Sequence, residues 1–140
     1  MSQYYRLDDV TLWNPSQGAS GMFIAQVRLF EAQVGVDSGI GPMEEDESEV
    51  VLEPFEEFVS ALLAWRARMN HAVIVALSDG FIATCLVLAE RAGATLRRPG
   101  APTGPEGMHD LQVGPGVGFG DGPLADVREQ AARLARFMAR

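Results

Sequence analysis

The sequence predicts a mainly α-helical single domain: three to four packed helices with at most a small β element. Three observations lead there. Apolar residues recur at helical spacing in separate segments, recognisable starts and glycine stops bracket those segments, and few stretches alternate as half-buried strands do. The chain has 140 residues, 47% of them hydrophobic, which suits one core; at that size folding buries roughly 68–70% of the surface the unfolded chain exposes. The alternative is an α/β arrangement with one strand at 72–77. No internal repeat divides the chain. The reading is a single domain over 1–140, with a Pro/Gly connector at about 97–107 and a C-terminal helix at about 123–139.

Residues 1–13 alternate loosely (Tyr5, Leu7, Val10, Leu12, Trp13), as one short strand or an extended lead-in would. Asn14-Pro15-Ser16-Gln17 then reads as a helix start, with Asn14 as cap and Pro15 at the first helical position, where its missing N–H costs nothing. Ala19, Phe23, Val27, Phe30 and Val34 make one stripe, and Gly35 ends it. The spacing predicts a helix over 15–34. Val36–Val51, rich in Gly and acidic residues, reads as a loop. A second helix starts near Glu53-Pro54 and carries Phe55, Phe58, Val59, Leu62 and Leu63 at i, i+3, i+4, i+7, i+8. Its acidic start and its Arg66 and Arg68 end agree with the helix dipole.

His71–Gly93 supports two readings. Val73-Ile74-Val75 is β-branched and suits a buried strand, whereas Ala76, Gly80 and Ala83 suit close helix packing. Because few other segments could partner a strand, the continuous helix from about 71 to 92 is favoured. Beyond the connector, Leu111–Val113 reads as a short strand and Gly114–Gly122 as a loop. Leu124, Val127, Ala131, Leu134 and Met138 form the stripe of a last helix.

Composition narrows the chemistry by exclusion. The net charge is −8, with 19 acidic residues against 11 basic ones, all of them Arg, and the pI is near 4.6. Nonspecific nucleic-acid binding rests on positive charge, so no nucleic-acid partner is expected. Without Lys there is no Schiff-base or phosphate-loop lysine. The glycines at 114, 116, 118 and 120 miss the dinucleotide register, because the sixth position is Phe119. Cys85 is the single cysteine and sits in an apolar run, which suits a core residue. No secretory leader is recognisable. The most apolar stretch is interrupted by Ser78-Asp79-Gly80 and Thr84, so the expectation is a cytoplasmic protein with no membrane partner.

Charge distribution is the strongest functional signal. Between Leu29 and Trp65 lie ten acidic residues and no basic one; the remaining 103 residues carry nine acids and eleven Arg. Glu44, Glu45, Asp46 and Glu47 are therefore candidate binding residues, joined by Trp13 and Asn14 as rim groups of a pocket. Candidate proton carriers are His71, Asp79 and Glu57. His71 and His109 are isolated and the acidic run lacks calcium-loop spacing, so no metal or cofactor is expected. Arg128, Arg133, Arg136 and Arg140 of the last helix are a candidate internal partner for the acidic segment.

At Leu12-Trp-Asn-Pro-Ser-Gln-Gly-Ala-Ser20, Ser38-Gly-Ile-Gly-Pro-Met-Glu-Glu-Asp46 and Leu88-Ala-Glu-Arg-Ala-Gly93, the chain resembles a family of small uncharacterised actinobacterial proteins. The resemblance covers about residues 5–95. It implies a bacterial cytoplasmic setting, no assigned activity and no catalytic residue. The leading expectation is a non-enzymatic interaction or ligand-binding protein that uses the acidic 37–57 surface or an inter-helix pocket for a basic protein or small organic ligand. The alternatives are a small accessory enzyme working on an organic metabolite by acid/base chemistry, and an acidic immunity-type inhibitor of a basic partner. Self-association into a homo-oligomer is compatible with each.

Overall fold

The computed structural model describes residues 2–99 and 121–140. In chain order the elements are β1 (Tyr4–Leu7), β2 (Val10–Trp13), α1 (Gln17–Val34), β3 (Glu47–Glu49), α2 (Leu52–Ala67), α3 (Ala72–Ala92) and α4 (Asp121–Leu134). The molecule is a mainly-α small domain with a three-stranded sheet, as the sequence predicts. The connector beyond residue 99, His109, the strand expected at Leu111–Val113 and the glycine loop up to residue 120 lie outside the described residues.

The sheet has the order β2-β1-β3, with β1 antiparallel to β2 and parallel to β3. Where the sequence suggests one short strand or a lead-in, residues 4–13 form a hairpin turning at Asp8-Asp9. Burial of Tyr5, Leu12 and Trp13 holds it there. β3 is a second departure, lying inside the segment expected as a loop. Its sequence is Glu-Ser-Glu, so alternation carries no apolar signal. The inward residue is Ser48, fully buried, whose hydroxyl donates to the Gly41 carbonyl at 2.8 Å. Glu47 and Glu49 point outward.

α1 is capped by Ser16 rather than Asn14: the Ser16 side chain accepts the Ala19 N–H, and the helix begins at Gln17. Asn14 is drawn elsewhere, its backbone N–H donating to Ala139 O at 2.8 Å. The buried face is Ser20, Phe23, Val27 and Phe30, so Ala19 of the expected stripe is exposed and Ser20 takes the inner place. There the Ser20 hydroxyl meets the Tyr5 hydroxyl at 2.8 Å. Aromatic rings continue this contact through the core. Tyr5 stacks on Trp13, Phe23 meets both edge-on, and Phe30 stacks on Phe81 at 4.7 Å.

Residues 72–77 belong to one continuous helix, which overturns the strand alternative. Ala72, Val73, Ala76 and Leu77 are exposed, so this stretch has neither the double-sided burial nor the partner that a core strand needs. Ser78 and Thr84, which look like breaks, return their hydroxyls to the carbonyls of Ile74 and Gly80 at 2.7 and 2.8 Å. α3 ends at Gly93, as the glycine stop predicts. By length and composition α3 is apolar enough to cross a membrane, with mean hydropathy 2.2 over its most apolar window, of which 44% is buried.

α4 packs on α3 through Leu124, Val127 and Ala131, and the helix stops at Leu134, short of the expected 139. A turn then returns Met138 to the core. Arg91 fixes this ending: its guanidinium donates to Leu12 O at 2.8 Å, Ala135 O at 3.2 Å and Met138 O at 2.8 Å. Three carbonyls from two distant segments thus share one cation.

Candidate functional site

The acidic stretch folds into a strap over one edge of the sheet. Gly35 lets α1 end in a left-handed conformation, and the chain then turns back through Asp37–Gly41. Glu31, on the last turns of α1, organises this return. One carboxylate oxygen accepts the Arg28 guanidinium at 2.6 Å, and the other accepts the Ser38 N–H and hydroxyl, both at 2.9 Å. Arg28 also donates to Ile40 O at 2.9 Å. Further on, Glu44 and Glu47 exchange backbone hydrogen bonds around Glu45 and Asp46, both at positive φ, which makes a two-residue type I′ turn.

Between this strap and the β1–β2 turn lies a cleft of about 760 Å³. Its walls carry the carboxylates of Asp8, Asp9, Asp37, Glu44, Glu47 and Glu49. Two cations line it as well, Arg6 and Arg28. Each is already directed at a carboxylate, Arg6 at Glu47 (3.3 Å) and Arg28 at Glu31. The cleft continues into a second one of about 460 Å³ through shared Asp8, Glu49 and Val51, with Leu7, Val50 and Leu52 along its length. Val51 is 53% exposed. The result is a long acidic groove with an apolar strip, open to solvent.

Glu31 makes the strap sensitive to acid. Burial pushes its carboxyl up, but the Ser38 N–H, the Arg28 guanidinium and the Ser38 hydroxyl together outweigh this and hold it below the usual value of 4.5. A carboxylate depressed in the folded state contributes stability above its unfolded value, and that contribution is lost as pH falls through the folded value. Glu31→Gln is therefore expected to cost about 1 kcal/mol at neutral pH. It should also flatten the fall in urea midpoint between about pH 5 and about pH 3. Equal slopes for variant and parent would refute the assignment.

The sequence-selected residues separate into different environments. Glu44, Glu45 and Glu47 are exposed on the strap; Asp46 is half-buried and accepts the Gln3 amide at 3.2 Å. Trp13 is a core residue 8% exposed, and Asn14 is half-buried beside the C-terminal segment. His71 occupies the cap position of α3, yet its side chain makes no capping bond. Asp79 is engaged by Arg66 at 2.6 Å. Glu57 pairs with Arg97 on the surface, and that guanidinium holds its carboxyl below the usual range. Glu57 lies ten residues before the end of α2, about 15 Å along the axis; Arg66, which holds Asp79, lies at that end. The structure therefore does not bring Glu57 to Asp79. Burial pushes the Cys85 thiol up, away from the reactive thiolate.

Among the described residues no group of three or more His, Cys, Asp or Glu could hold a metal ion. The cations paired with the acidic stretch are Arg6, Arg28 and Arg97. In the last helix, Arg133 pairs with Glu129 instead. Asp8, Asp9, Arg6 and Arg28 escaped the sequence reading because they join the acidic segment only through the hairpin and the strap. A two-residue Asp-Asp turn between short apolar runs was the available signal.

A small helical domain with an acidic groove along its sheet edge is the class that fold and geometry define. The chain belongs to a family of unknown function, DUF6086, whose model matches residues 1–140. No curated protein matches the chain, and no solved structure does.

Proposed function

We propose that this is a non-enzymatic interaction protein whose groove takes a cationic segment of a protein partner. The observation that carries the reading is the cleft of about 760 Å³ with six carboxylates and only two guanidiniums, both already turned toward acids. A cationic side chain entering it meets a negative field that speeds encounter and falls off over a Debye length of about 8 Å at physiological salt. The apolar strip at Val51 adds area that salt does not screen. An inhibitor of a basic partner would use the same surface, and the bacterial cytoplasmic setting implied by the resemblance makes a native lysate the source of partners. Acid/base catalysis has less support, because Arg66 holds Asp79 at the end of α2 while Arg97 holds Glu57 well before that end.

The test is binding of a labelled Arg-rich peptide, followed by stopped flow. Association should slow steeply as salt rises, and Glu44→Arg with Glu49→Arg should weaken affinity by about tenfold or more. Both side chains are exposed at the groove, so the fold should survive. No binding at low salt, or binding indifferent to these substitutions, would overturn the reading.

A further inference from the structure

The C-terminal turn is the counterpart of the groove. Phe137 is 84% exposed, the most exposed of the large apolar side chains among the described residues. Exposed Arg136 and Arg140 flank it, and Arg133 lies one turn back. This is not a fraying end. Phe137 N–H bonds Leu134 O at 2.8 Å, Arg91 holds the carbonyls of Ala135 and Met138, Met138 is buried, and Ala139 O accepts the Asn14 N–H. An apolar side chain between cations, presented by a turn fixed on both sides, has already met much of the ordering cost of binding.

Resting on the acidic-groove reading, we propose that the cationic segment the groove accepts is this turn of a second copy of the chain. Charge and polarity correspond: exposed Arg136, Phe137 and Arg140 offer two cations and an apolar ring, and the groove offers carboxylates and an exposed valine. Within one molecule the two do not meet. The turn is held at the end of β2, where Ala139 O accepts the Asn14 N–H, whereas the groove opens beside the Asp8-Asp9 turn at the start of β2. No ion pair among the described residues joins Arg136 or Arg140 to a groove carboxylate. The contact joins two different surfaces, turn to groove, so it grows chains or closes into rings, of which a reciprocal pair is the smallest.

Sedimentation of the full-length protein tests this. Weight-average mass should rise with concentration at low salt and return to the monomer at high salt. Phe137→Ala should weaken association about tenfold, the range of a buried aromatic anchor. Arg136→Glu with Arg140→Glu should abolish it. Mixing that turn variant with a Glu44→Gln, Glu49→Gln groove variant, whose neutralised groove has no charge to attract the reversed turn, leaves one intact groove and one intact turn, and should give a 1:1 heterodimer that grows no further. Circular dichroism on each variant guards against unfolding. A monomer at all concentrations, association unchanged by the turn substitutions, or a turn that binds anionic vesicles while the protein stays monomeric would each overturn the proposal. If the Arg-rich peptide still binds the groove in those cases, the groove reading stands and only its occupant is wrong.

Discussion

An Asp79→Ala variant is expected to lose about 3 kcal/mol of stability, a large share of the roughly 5–15 kcal/mol typical of a domain. Arg66 is the reason. Its side chain is 4% exposed, and its guanidinium donates to both carboxylate oxygens of Asp79, at 2.6 and 3.3 Å, and to Met69 O at 3.1 Å. The pair ties the end of α2 to the second turn of α3. Removing the carboxylate leaves a buried cation with one carbonyl for company, and the usual cost of breaking such a pair is about 3–5 kcal/mol. Asp79 is itself 18% exposed, so water can reach the site and the low end applies. Asp79→Asn keeps the shape and one acceptor and should cost less. Arg66→Met combined with Asp79→Ala should recover much of the loss, because no charge is then stranded. Urea unfolding of the three variants checks the order; an Asp79→Ala variant within about 1 kcal/mol of the parent would show that the pair does not lock the helices.

The same pair shows how far the sequence could be read. Asp79 is visible as a polar break in an apolar run and reads as a candidate proton carrier. Its partner stands thirteen residues earlier on another helix, so only the packing of α2 against α3 assigns the carboxylate to an ion pair. Helices were legible because their apolar stripes repeat within the segment. α3 could be chosen over a strand because no second strand was available to partner it. The sheet was not legible: β1 and β2 are four residues each, and β3 offers only a buried serine among glutamates. Strands this short are specified by what they meet, here Tyr5 against Trp13 and Ser48 against Gly41, across turns that no apolar period marks.

The candidate site divides along the same line. A contiguous block of charge is a property of sequence, and the acidic face follows from it directly. Its conversion into a groove required the hairpin to supply Asp8 and Asp9 from the far end of the chain. It also required Glu31 to spend its carboxylate on Ser38 and Arg28 rather than on solvent. Counting charges therefore overstates what is free to bind. Glu31, Glu47 and Glu57 are paired to Arg, whereas Glu44 and Glu49 remain the better contact residues.

Gly39→Ala is expected to be the other severe substitution, at roughly 2–5 kcal/mol, and it separates two effects that glycine usually confounds. Gly39 has φ 69, where an L side chain costs about 1 kcal/mol or more. A Cβ built there would also stand 2.7 Å from the Val51 carbonyl oxygen, 2.9 Å from Pro54 Cβ and 3.0 Å from Phe55 N. Two of these atoms are backbone at the start of α2, so relief requires the helix to move. Gly39 O accepts the Val51 N–H at 2.8 Å, which means the strap and the helix start would shift together. Gly35 provides the control: it has the same φ of 69 and open space around its Cβ position. Gly35→Ala should therefore show the conformational cost alone, about 1 kcal/mol. The difference between the two variants in urea unfolding measures the steric part. Because Val51 lines both clefts, Gly39→Ala should also weaken peptide binding in the folded fraction, while Gly35→Ala leaves it near the parent value. Equal destabilisation by the two alanines would mean that the strap yields to a methyl group, and that the groove is not built on a close approach at Gly39.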